Sequence, residues 1–208
     1  RLSESAGVPG REELVRERIL DALGGLDLDL RVDAMGNLIA ETPGPSGAPK
    51  VMVSAHMDEI GFLVKHVDER GFLRVQNLGG FDVRNLFARQ VLVHASRGAA
   101  RVGVLHPATK PVHLSSAEER KKVPELADFA VDLGLDDDAV RAEVRVGDMV
   151  TLLQPFQDLG SAVVGKALDD RVGCWILIET LRRLHAPAVQ VQAVFSVQEE
   201  VGLRGATT

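Results

Sequence analysis

Apolar residues change their spacing three times along this chain, and each change predicts a different kind of element. Leu14, Val15, Ile19 and Ala22, with Arg18 between them, fall on one side of a 3.6-residue period, which predicts a helix from about Arg11 to Leu23, ended by Gly24-Gly25. Residues Asp27 to Asp33 alternate apolar and polar as a strand does. Met35-Gly36-Asn37 then turns the chain into Leu38-Ile39-Ala40. Thr42 to Pro49 is an exposed loop by its Pro and Gly content, and Val51-Met52-Val53 opens a further strand. From about Phe62 to Gln157 short β-like pieces recur: Gly71 to Gln76, Gln90 to His94, Arg101 to Leu105 and Asp148 to Leu153. One helix is expected among them, because Ser115 and Ser116 stand three residues before Glu118 and Glu119 as two overlapping capping boxes. From Ala162 longer elements return. Arg171 to His185 predicts a helix, apolar nearly all round in its middle and therefore buried, which Pro187 stops; Val189 to Val197 predicts a strand.

The textures divide the chain into α/β parts at residues 1–68 and 160–208, with a β-rich module at 69–159 between them. Composition narrows the function classes. With 208 residues and 45% hydrophobic content, the chain can bury a real core. A net charge of −6 without a basic run argues against nucleic acid as a partner. The longest apolar run, Cys174 to Ile178, is five residues against the roughly 20 needed to span a bilayer, so no membrane role is expected. One cysteine, Cys174, excludes an internal disulfide and suits a reducing, cytoplasmic setting, as does an opening without signal-peptide character.

The chemistry sits where apolar runs stop. KVMVSAHMDEIGF ends a strand in His56-Met57-Asp58-Glu59. His56 and Asp58 are two apart and leave an extended backbone on the same face, which fits an imidazole ligand oriented by a carboxylate, and equally a capped turn. Leu168-Asp169-Asp170-Arg171 opens the later helix; one Asp suffices as a cap, so the second is surplus. Gln198-Glu199-Glu200 ends the last strand, where adjacent acids repel and raise each other's pKa unless a cation compensates; an exposed acidic turn has the same text. Open α/β sheets place sites at the carboxyl ends of their strands, so the three clusters together read as a metal site. His66, His94, His106 and His185 read as structural or solvated, and Asp136-Asp137-Asp138 as a helix start.

AHMDEIGF, GKALDDRVG and QEEVGLRGA, in that order, resemble the glutamyl/tetrahedral family of dinuclear-metal aminopeptidases, some members of which carry an endoglucanase label. The likeness extends to Gly7-Val8-Pro9-Gly10, Met35-Gly36-Asn37-Leu38, Leu78-Gly79-Gly80 and Arg145-Val146-Gly147-Asp148, and so covers essentially the whole chain. It implies an α/β zinc-peptidase-like mixed sheet flanked by helices and interrupted by a β-rich dimerisation domain at 69–159, through which copies would build dimers and larger homo-oligomers. It implies two divalent metal ions, zinc or cobalt: His56 as a terminal ligand oriented by Asp58, Asp169 as the bridge, Glu200 on the second ion, and Glu199 as general base. The substrates would be peptides with a free N-terminus, and the Asp169-Asp170 bond would be cis. The family also supplies a further Asp and His downstream, whereas this chain stops eight residues after Glu200. The expectation is therefore a truncated form, poor in metal affinity and inactive alone, whose last strand lacks neighbours. A sister carboxypeptidase or N-deacylase, or a silent peptide-binding assembly protein, are the competing readings.

Overall fold

The computed structural model describes residues 2–110 and 112–208. Its elements run α1 (Glu13–Leu23), β1 (Asp29–Val32), β2 (Leu38–Glu41), β3 (Lys50–His56), β4 (Gly61–Val67), β5 (Leu73–Leu78), β6 (Gln90–His94), β7 (Arg101–Pro107), β8 (Phe129–Asp132), α2 (Asp137–Glu143), β9 (Met149–Leu152), β10 (Gln157–Asp158), β11 (Val163–Val164), α3 (Leu168–Arg183) and β12 (Gln190–Ser196). They form two compact units, Arg1–Glu59 with Pro155–Thr208, and Ile60–Gln154.

The first unit is a mixed sheet in the order β1-β2-β12-β3, in which only β12 and β3 run parallel. Leu38, Ala40, Ala55, Ala193 and Phe195 from this sheet meet Val15, Ile19 and Leu23 of α1 and Cys174, Leu177, Ile178 and Leu181 of α3. α1 thus buries a stripe at i, i+4 and i+8, and α3 one at i, i+3, i+4 and i+7. Fully enclosed side chains such as Leu38 and Phe195 each contribute about 1.5–3 kcal/mol through the apolar area they remove from water.

Two expectations are corrected here. β12 does not lack neighbours: it lies between β2 and β3, because parallel pairing with β3 leaves its other edge free for β2. The edge strands of the described sheet are β1 and β3, and on β3 Val51, Met52 and Val53 are 45%, 66% and 43% exposed. Nor is α3 buried all round. The sheet and α1 cover one side of it, and Val172, Trp175 and Ile176 stay exposed on the other.

The second unit is a closed barrel in the order β4-β5-β8-β7-β6-β9. Phe62 and Val64, Leu73 and Val75, Val91 and Val93, Phe129 and Val131 alternate inward to fill it, and α2 adds Val140. At Gly103 in β7 a Cβ would stand 2.7 Å from Val131, so only glycine fits there. The unit begins at Ile60 rather than at 69, because β4 pairs with β5 and β9. It ends at Gln154 rather than 159, because β10 and β11 pair with each other in the first unit.

The helix expected after Ser115 is a further correction. The capping box forms, with the Glu119 N–H donating to Ser116 Oγ at 3.1 Å, but only the 3-10 turn Glu119–Lys121 follows. Pro124 biases Val123 away from helical geometry, and no buried stripe is available to hold a longer helix. The helix of this unit is α2, started by Asp136, whose carboxylate accepts the Ala139 N–H at 2.8 Å. Strand β8, which pairs with β5 and β7, had no counterpart in the apolar pattern.

Candidate metal centre

Because β3 and β12 are parallel with Ser196 opposite His56, both strands end at the same edge of the sheet. The residues that follow each strand therefore meet. His56 Nδ1 lies 3.1 Å from the Asp58 carbonyl oxygen and 3.4 Å from its carboxylate, while Nε2 faces Asp169 Oδ1 at 3.1 Å and Glu199 Oε2 at 3.8 Å. Nε2 or Nδ1 of His56 and one oxygen each of Glu199 and Glu200 lie within 4.8 Å of one another.

Asp58 does more than orient His56. It is completely buried, and its two carboxylate oxygens accept the backbone N–H groups of Glu199 and Glu200, each at 3.0 Å. The capped-turn reading of His56-x-Asp58 is thus realised, with the distant acidic pair as the turn being capped, and Asp58 also contacts the His56 ring at Nδ1. Asp170 also has two tasks: Oδ1 accepts the Gly173 N–H at 3.0 Å and caps α3, and Oδ2 accepts the His56 N–H at 3.2 Å. The Asp169-Asp170 bond is cis, and Asp169 is left projecting with its side chain 88% exposed. Ala167 (φ 52°) and Gln198 (φ 54°) stand in the left-handed region just ahead of the two acidic pairs. Such backbone is uncommon for residues other than glycine and gathers at functional sites.

The charges are unevenly matched. Burial lowers the His56 pKa, but the hydrogen bond and charge of Asp58, then Glu199 and Asp170, outweigh it and hold the imidazole up at about 9. Burial raises the Glu200 carboxyl; His56 opposes this, and Asp58, Glu199 and Asp169 add to it. Burial also raises Asp58, but His56 and the N–H groups of Glu200 and Glu199 bring it below the usual range. One imidazole nitrogen with one carboxylate oxygen each from Glu199 and Glu200, and Asp169 against the same imidazole, is a donor set that fits divalent metal cations.

Several residues around the site had no role assigned to them from the sequence. Glu12 is buried and accepts the N–H groups of Gly10 (2.8 Å) and Gln198 (3.0 Å), fixing the approach to Glu199. Asn37 was legible only as part of a turn. It accepts the Val197 N–H at 3.0 Å and donates to the Gly205 carbonyl at 2.9 Å, clamping both sides of the acidic turn. Glu59, Lys166 and Arg171 form a buried ionic group beneath the loop after β3.

Comparison with known proteins places this arrangement. Residues 36–208 match the model of the M42 glutamyl aminopeptidases. The lysyl aminopeptidase of Pyrococcus furiosus is 35% identical over 211 residues, covering 99% of this chain and 60% of that protein. An aminopeptidase structure from the archaeon Desulfurococcus kamchatkensis superposes with a TM-score of 0.91 at 35% identity, covering 100% of this chain and 56% of that one. The TET1 peptidase of Pyrococcus horikoshii, described as able to assemble into a tetrahedron or a large octahedral shell, gives a TM-score of 0.86 at 37% identity, over 99% of this chain and 61% of that one. The chain thus spans about three-fifths of the length of these relatives. With the same fold over its whole length and a family match across both acidic pairs, this chain belongs to the M42 glutamyl aminopeptidase family.

Proposed function

We propose that the protein carrying this chain is a two-metal aminopeptidase that removes N-terminal residues from peptides. The observation that carries the reading is the parallel register of β3 and β12, which sets His56 beside Glu199-Glu200 and leaves Asp169 facing the same imidazole. His56 would hold one ion and Glu200 the other, with Asp169 bridging. Asp58 would keep the His56 ring turned toward the site through its contacts with Nδ1. The two cations, zinc or cobalt, would supply Lewis acidity toward the scissile carbonyl and hydroxide near neutral pH. Glu199, 34% exposed at its side chain, is open enough to take a proton from the attacking water and pass it to the leaving amine, a role worth about 10²–10⁴ in rate. The barrel unit, Ile60–Gln154, would carry self-association into dimers and larger homo-oligomers, in keeping with the shells described for the Pyrococcus horikoshii peptidase. A cytoplasmic protein acting on peptides fits the single buried Cys174; among the described residues no helix is long and apolar enough to cross a membrane.

A panel of aminoacyl-p-nitroanilides and N-acyl amino acids, offered to the full-length protein after chelation and again after zinc or cobalt is restored, tests this reading. Turnover of the free-amine substrates alone, and only with metal, is expected. Preference for N-acyl substrates would make the protein a deacylase with the same donors, and no turnover of either would favour a silent assembly protein.

A further inference from the structure

Arg171 is the largest fully buried side chain of the described residues, yet it has no part in the reaction proposed above. Its guanidinium is spent on backbone. Nε donates to the Met57 carbonyl at 2.6 Å, Nη1 to those of Leu2 (2.6 Å) and Ser5 (2.9 Å), and Nη2 to that of Gly7 (3.4 Å). Nη2 also lies 3.8 Å from Glu59 Oε1. Glu59 is 2% exposed; its carboxylate takes Lys166 Nζ at 2.6 and 2.8 Å and the Gly7 N–H at 3.2 Å, while its own N–H donates to the Gly7 carbonyl at 2.9 Å. The fit is close: a Cβ at Gly7 would stand 2.7 Å from Val15 and 3.2 Å from the Arg171 guanidinium.

The positions of these contacts in the chain give them their meaning. Met57 is the residue between His56 and Asp58, and Arg171 follows Asp169-Asp170 directly on α3. Lys166 stands three residues ahead of Asp169. One buried group of two cations and an anion therefore grips the loop bearing His56 and both flanks of the turn bearing Asp169. It ties them to the segment from Leu2 to Gly7. A buried ion group is a poor way to gain stability, since desolvation offsets most of its attraction, but it fixes geometry because every donor must be met. Arginine suits the task because its planar fork offers five fixed donors, whereas lysine offers a single mobile ammonium.

We propose that Arg171, with Glu59 and Lys166, is a positioning residue for the metal centre, setting the distance between the imidazole of His56 and the carboxylate of Asp169 through the Met57 carbonyl. The inference rests on the metal reading given above. Its test uses cobalt as the probe in the full-length protein, with two readouts apart from turnover: the Co²⁺ binding isotherm, and the visible ligand-field spectrum, which reports coordination geometry. Arg171→Lys keeps the charge but cannot hold the carbonyls of Met57, Leu2 and Ser5 together. Leu177→Ala, on the same helix and in the same core, is the control for lost stability alone. The expected result is at least a tenfold loss of Co²⁺ affinity and an altered spectrum in Arg171→Lys, with both unchanged in Leu177→Ala. Should Arg171→Lys fail to fold, Glu59→Gln carries the same expectation, because the amide keeps the Gly7 contact and loses the charge that anchors Lys166 and Arg171. Wild-type affinity and spectrum in a folded Arg171→Lys or Glu59→Gln protein would overturn the inference while leaving the metal reading intact. So would equal losses in Leu177→Ala. A wild-type protein that binds no cobalt would overturn both.

Discussion

Replacing Asp58 by Asn should separate the architecture of the site from its chemistry. Asp58 is wholly buried, and its two oxygens accept one backbone N–H each, from Glu199 and Glu200, at 3.0 Å. An amide of the same shape has a single acceptor oxygen, and its NH₂ group would face the second N–H donor. One N–H is then left without a partner, and a hydrogen bond to a charged acceptor is worth about 1.5–3 kcal/mol. Asp58→Asn should therefore cost about that much, and Asp58→Ala, which deletes both acceptors, about 3–6 kcal/mol by the same measure. The larger loss rivals the whole stability of many domains, roughly 5–15 kcal/mol, so Asn is the variant to measure. Trp175, the only tryptophan of the chain, lies on α3 in the same unit and reports that unit's unfolding by fluorescence. Urea titrations of the metal-free 208-residue chain at neutral pH should show the midpoint falling for Asp58→Asn. A midpoint equal to wild type would mean that Asp58 does not clamp the acidic turn, and the account of how the two strand ends are joined would be wrong.

Other outcomes follow from the same geometry. In the full-length protein Glu199→Gln should abolish turnover while metal content, read by elemental analysis, stays near wild type; Glu200→Gln should lose both, and the reverse pattern would exchange their roles. Asp33 supplies a pH dependence. Burial raises its carboxyl, but the Asn37 amide and the N–H groups of Asn37, Met35 and Gly36 bring its pKa below the ordinary 3.8. Its folded pKa lies below the unfolded one, so its stabilisation is complete above that ordinary value and is lost as pH falls through the depressed one. Asp33→Ala should thus be less stable than wild type at neutral pH, with the gap closing in strong acid, as followed by denaturation at stepped pH. On β3, Met52→Lys should reduce self-association of the 208-residue chain in sedimentation experiments, because a charge on an open apolar edge discourages strand-to-strand pairing.

What the sequence made legible was local. His56-x-Asp58, Asp169-Asp170 and Glu199-Glu200 each break an apolar run over a few residues, and the strands that carry two of them follow from the same runs. The turn at Met35-Gly36-Asn37 was readable for the same reason: Asp33 accepts three successive N–H groups within four residues of itself. What stayed hidden depends on partners distant in the chain. Nothing near β12 says that β2 will take its second edge, and that placement leaves β1 and β3 as the edge strands. A capping box says where a helix can start but not whether a buried face will sustain it, so Ser116 and Glu119 close only a 3-10 turn. Glu59 could be seen as an unexplained acid beside Asp58, but Arg171 and Lys166, its partners, lie more than a hundred residues away. Membership of the family gives the three acidic clusters one context. The register of β3 against β12 brings two of them together, and the contact of His56 with Asp169 adds the third.

The central claim is that His56, Asp169 and Glu200 hold two divalent ions with Glu199 poised beside them. Anomalous diffraction at the zinc or cobalt edge, from metal-loaded crystals of the full-length protein, tests it most directly. The account predicts two peaks about 3.5–4 Å apart, one on His56 Nε2 and one on the Glu200 carboxylate, with Asp169 between them and Glu199 ligating neither. A single peak held by Glu199 with Glu200 turned away, or peaks that leave His56 untouched, would contradict it.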